Sequence, residues 1–119
     1  DDYDLAIAHY VDVLGFRLLE DIKLDADKRW VRVAPGESGP AFLLAQAGDD
    51  PQLAAIGRQT GGRVSFFLET DDFDRDHAAM LSRGVNFIEA PRVELYGTVA
   101  VFADLYGNLF DLIEPRRHP

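Results

Sequence analysis

An internal repeat limits what this 119-residue chain can become. DDYD at 1–4 returns as DDFD at 71–74, GFRLLE at 15–20 as GVNFIE at 84–89, and GPAFLL at 39–44 as GNLFDL at 107–112. The paired starts, 1 and 71, 15 and 84, 39 and 107, lie 70, 69 and 68 residues apart. Three ordered matches whose spacing drifts only by single loop residues describe two copies of one unit. Each unit reads as a strand, a helix and three further strands. The second copy includes its opening strand, Arg63–Thr70, whereas the first opens at the helix, so the symmetry predicts another strand of about eight residues before Asp1.

Local patterning fills in the units. Residues 1–15 read as a helix, with Asp1, Asp2 or Asp4 at its start, Gly15 at its end, and Tyr3, Ile7, Tyr10 and Leu14 at helical spacing. Strands follow at Phe16–Leu24, Arg29–Ala34 and Ala41–Gln46. Residues 47–62, with a short helix after Pro51 and Gly61-Gly62 at the end, form the linker between a first module at 1–46 and a second at 63–115. In the second module, Asp71–Asp74 precedes the helix Asp72–Arg83, where acids cap far more often than they bind metal. A strand at Val85–Glu89 and a polar loop containing Pro91 lead to the hairpin Tyr96–Glu114, turned by Asp104–Asn108. Leu14, Phe16, Leu18, Phe87, Phe102 and Phe110 are expected in the scaffold.

Along the last strand, Leu109, Asp111 and Ile113 share one face while Phe110 and Leu112 share the other, because side chains alternate. An acid set between apolar neighbours must be solvated, paired or bound to something. The formal charge of −9 argues against nucleic acid and anionic membranes as partners, since both select basic surfaces. No apolar run reaches the length of a bilayer span. Without cysteine, disulfides, thiolate metal sites and a cysteine nucleophile are excluded. A cytoplasmic location is the default expectation.

Three stretches, DDYDLAIAHYVDVLGF, LETDDFDRDHAAMLSRGVNF and YGTVAVFADLYGNLFDLIEP, resemble the vicinal oxygen chelate superfamily of glyoxalases, bleomycin-resistance proteins and extradiol dioxygenases. The resemblance implies an α+β fold of two tandem βαβββ modules, their sheets curling around a shared cavity with helices outside, commonly as a homodimer. Metal-using members take one ligand from the first and last strand of each unit, and the ion chelates two vicinal substrate oxygens. Carried onto this chain, the last-strand carboxylate falls on Asp111 and the first-strand histidine on Ser65. The repeat partner of Asp111 is Leu43, or Leu44 if the register slips, and the fourth position lies on the strand expected before Asp1. One carboxylate, one hydroxyl and one apolar side chain make a poor donor set for a catalytic ion.

Two functions follow. One is a module that binds a small, partly apolar molecule, with no cofactor and no tightly held metal. The other is a metal-dependent lyase or dioxygenase acting on vicinal oxygens. Asp111, Ser65 and Phe67 are expected to line the cavity. Trp30 and Arg32, on one face of their strand, either join them or cover the outer face. Asp111 is expected either to pair with Arg32 or to accept a hydrogen bond from a ligand hydroxyl or amine, and Tyr96 either reaches the ligand from the rim or caps a loop. His77 reads as a boundary residue, and His9 and His118 as solvated.

Overall fold

The computed structural model describes residues 2–36 and 39–116. His118 and the strand expected before Asp1 fall outside the described residues. The chain divides into two compact units, Asp1–Ile56 and Gly57–Pro119.

Unit one opens with helix α1 (Tyr3–Ala8), whose N-cap Asp2 accepts hydrogen bonds from the amides of Asp4 and Leu5. The helix does not run on regularly to Gly15. It widens into a π turn over His9–Val13, where Leu14 N–H bonds the carbonyl of His9 at 2.9 Å. Tyr10 and Leu14 are buried, and the rings of Tyr10, Phe16 and Phe42 pack together 5.4–6.4 Å apart. Three antiparallel strands follow in the order β1 (Arg17–Lys23), β2 (Arg29–Ala34) and β3 (Phe42–Leu44). Val31 and Val33 on β2 are fully buried. Leu18, expected in the scaffold, is 43% exposed, because β1 is an edge strand and its ladder slips between Leu18 and Glu20. β3 is shorter than the expected Ala41–Gln46. Among the described residues only β2 pairs with it. Helix α2 (Asp50–Ala55) lies in the stretch expected to be a linker, capped by Asp49 and led by Pro51.

Unit two carries the fuller sheet. Strand β4 (Val64–Glu69) leads into helix α3 (Phe73–Ser82), capped by Asp72, whose carboxylate accepts from the Arg75 amide at 3.0 Å. Then come β5 (Asn86–Phe87), β6 (Arg92–Glu94), β7 (Gly97–Ala103) and β8 (Leu109–Pro115). β4 runs parallel to β8, β8 antiparallel to β7, and both β5 and β6 pair with β7. The stretch around Pro91, expected as a polar loop, therefore contains a strand. Proline cannot donate to the ladder, so the pairing to β7 breaks at Glu89–Pro91 and resumes at Arg92.

The helix-side core of unit two is aromatic. Phe102 and Phe110 stack at 5.0 Å, and Phe87, Phe66 and His77 extend the cluster. Phe102, Phe110 and Leu112 are essentially inaccessible, and Phe87 is half-buried. His77 stacks on Phe73 at 5.2 Å and meets Phe87 edge-on, an apolar boundary position. Two glycines permit close backbone approaches. Any Cβ on Gly97 (φ 152°) would strike the Glu114 carbonyl, and one on Gly57 (φ 72°) the Tyr106 carbonyl.

Candidate functional site

The register of β8 decides which way the chemistry points. Phe110 pairs with Phe102 and Phe66, so that row faces α3. Asp111 pairs with Val101 on one side and Phe67 on the other, so these three occupy the opposite face. Ile113, Val99, Glu69 and Arg92 extend the same face through their own pairings. Val99 and Val101 are buried, Asp111 is 9% exposed, and Phe67 presents its ring at 71% exposure.

Asp111 Oδ1 is shut off from solvent and has no hydrogen-bond partner among the described residues. Burial pushes its carboxyl above the ordinary carboxylate range, the charge of Arg92 pulls it back, and that of Glu89 pushes it further up. Arg32, one of the two partners the sequence offered, belongs to unit one. There its Nε donates to Glu20 Oε1 at 2.5 Å, across the β1–β2 ladder. The cation whose charge Asp111 feels is Arg92, which sequence reasoning left in a loop. Its signal was present: Glu89, the repeat counterpart of the charge-bearing Glu20, lies three residues before it.

Arg92 is heavily engaged. Its Nε donates to Glu89 Oε1 at 3.1 Å, and its Nη1 to Glu94 Oε1 at 2.8 Å and to the Tyr96 hydroxyl at 3.2 Å. Tyr96, itself 53% exposed, thus joins the Arg92 cluster. Ser65 stands where the β4 ladder slips between Val64 and Phe66, and its hydroxyl lies 3.3 Å from that of Thr60. In unit one, Trp30 and Arg32 share a face with Glu20, Ile22 and Leu43, opposite the buried Val31 and Val33.

The donors that the resemblance assigns among the described residues are a poor set for a catalytic ion, and the fourth position falls outside them. Of the positions that the superfamily uses, Asp111 offers a carboxylate, Ser65 a hydroxyl engaged with Thr60, and Leu43 nothing. Among the described residues, no three His, Cys, Asp or Glu side chains are placed to hold a metal. A depression of about 440 Å³ in unit one is lined by Tyr3, Asp4, Lys23 and Arg29, but Arg29 there is spent on Asp4 and Asp21 at 2.8 and 2.6 Å.

With this geometry, residues 1–112 match the Glyoxalase/Bleomycin resistance protein/Dioxygenase superfamily, and the chain belongs to that family. It is 52% identical over 116 residues to an uncharacterized protein of Shewanella frigidimarina, covering 96% of this chain and 86% of that one. Among solved structures, it is similar to TnmS3, an antibiotic binding protein from Streptomyces sp. CB03234, with 30% identity and a TM-score of 0.75 over 98% of this chain and 88% of that one. It is also similar to the bleomycin resistance determinant encoded on transposon Tn5, with 27% identity and a TM-score of 0.64, covering 98% and 91%. These neighbours share the α+β fold. No helix among the described residues is long and apolar enough to cross a membrane.

Proposed function

We propose that the protein binds a small, partly apolar molecule against the face of unit two that carries Asp111 and Phe67, without a tightly held metal. The observation that carries this reading is a buried carboxylate with an unpartnered oxygen next to an exposed aromatic ring. A buried acceptor left without a donor costs free energy, which a ligand's donor offsets, and the ring supplies apolar contact area. Ser65 and Tyr96 belong to the proposal as rim residues of unit two, whereas Trp30 and Arg32 lie on the sheet of unit one and are not part of it. An antibiotic-binding protein and a bleomycin resistance determinant of the same fold support sequestration of such a molecule. A cytoplasmic homodimer is part of the same reading, and light scattering on the eluting protein reads its mass.

The test is elemental analysis after dialysis, followed by titration with nickel, zinc, manganese and iron(II). Weak, substoichiometric uptake that Asp111→Ala leaves unchanged is the expected result. Stoichiometric metal held at micromolar affinity or tighter, and lost in Asp111→Ala, overturns the proposal and puts a metal-dependent lyase or dioxygenase first.

A further inference from the structure

The charges around Asp111 do not balance. Glu89 and Glu94 already share Arg92, whose Nη1 also serves Tyr96. Glu69 pairs with Ile113 and so lies on the face of Asp111, one alternation along the sheet. Among the described residues that the pairings bring together here, Glu69, Glu89, Glu94 and Asp111 stand with one guanidinium, Arg92, and the buried Oδ1 of Asp111 has no donor. A bare carboxylate out of water is stabilised best by a cation, and Arg92 is held elsewhere by its own acids. Arg92, the cation that the strand pairings bring to this face, is already held by its own acids, so it offers an anionic ligand little. Beside Asp111, the Phe67 ring is open to contact, and an aromatic face attracts a cation as well as an apolar plane.

We propose that the ligand of this face is a flat organic cation, a protonated amine or amidine on an apolar ring system, with Asp111 as its counter-ion and Phe67 as its stacking surface. This rests on the binding role assigned above and specifies the class of molecule bound. Arg92 then acts as a positioning residue, gathering Glu89, Glu94 and Tyr96 at the border and leaving Asp111 for the ligand. The raised carboxyl agrees with a group that waits for a positive partner.

Three probes of similar shape separate the outcomes: proflavine, a planar cation; acridone, its neutral analogue; and 9-anthracenecarboxylate, a planar anion. Each is titrated by fluorescence into the full chain at about 150 mM salt, which screens diffuse attraction to the acidic surface. The expected order is proflavine tightest, by about tenfold over acridone, with the carboxylate weakest. Asp111→Asn is expected to remove that tenfold preference while acridone binding persists, which also shows that the variant is folded. Phe67→Ala is expected to weaken proflavine and acridone together. If wild-type protein binds acridone as tightly as proflavine, with both sensitive to Phe67→Ala, the cation assignment falls and the binding role stands. If no probe binds, or binding ignores both substitutions, both fall.

Discussion

The two units place equivalent strands in equivalent ladders and then treat charge in opposite ways. In unit one, Arg32 pairs with Leu43 across β2 and β3, and in unit two the matching pair is Val101 and Asp111. The charged member has moved from the middle strand to the last. Arg32 meets Glu20 where both side chains are more than a third exposed, so water and partner both serve it. Asp111 is buried, and its Oδ1 finds no partner among the described residues. On the helix-facing side the units agree instead. Phe42 and Phe110 occupy matching positions, as do Val33 and Phe102, and all four are apolar. A duplicated unit must keep the face that packs against its helix, because that face holds it folded. The opposite face is free to diverge toward a ligand.

Truncating the shared scaffold gives the largest expected effect. Phe110→Ala should cost about 3–5 kcal/mol in urea unfolding, since the ring is 1% exposed and stacks on Phe102. Phe42→Ala, at a half-buried position, should cost less. Equal costs would mean that both units rely on this position alike and that the asymmetry is confined to the charged face. A cost below about 1 kcal/mol for Phe110→Ala would place β8 in the wrong register and turn Asp111 toward α3.

The next effect reverses sign between units. Burial raises the Asp111 carboxyl, so the folded chain holds that proton more tightly than the unfolded chain. The stability penalty develops as pH rises from the unfolded value, about 3.9, through the raised folded one. Asp111→Asn should therefore raise Tm at pH 7, with the gain fading as pH falls toward about 4. Asp21 in unit one is the converse. The hydrogen bond from Arg29 holds its carboxyl below the ordinary range, so its stabilisation is present above the unfolded pKa and disappears as pH falls through the folded one. Asp21→Asn should lower Tm at pH 7 and make little difference in acid. Parallel Tm profiles for the two variants would erase the contrast.

The smallest effect belongs to Arg32. An ion pair this exposed is worth at most about 1 kcal/mol and is screened by salt, so Arg32→Gln should change Tm little and less still in high salt. A larger loss would show that unit one also has a charge it cannot spare.

The fold was largely legible in the sequence because its signals are periodic and local. The repeat gave two copies of a helix and three strands, and alternation along β8 put Phe110 and Asp111 on opposite faces. Capping acids marked the starts of α1 and α3. Three features were not legible. The π turn after Ala8 has no sequence signature separable from an ordinary helix. Leu18 has core chemistry but sits on an edge strand where the ladder slips. Pro91 suggested a loop, yet it interrupts a strand that resumes at Arg92. Pairing across strands is non-local, so the charge partners could not be read from spacing alone. The sequence by itself determined that Asp111 stands among apolar neighbours, pointing away from the packed row. Only the tertiary structure decided that Arg32 answers to Glu20, that Arg92 is taken by Glu89, Glu94 and Tyr96, and that Asp111 is left over. A hydrogen bond depends on ångström-scale placement across a ladder, which residue spacing along one strand does not encode.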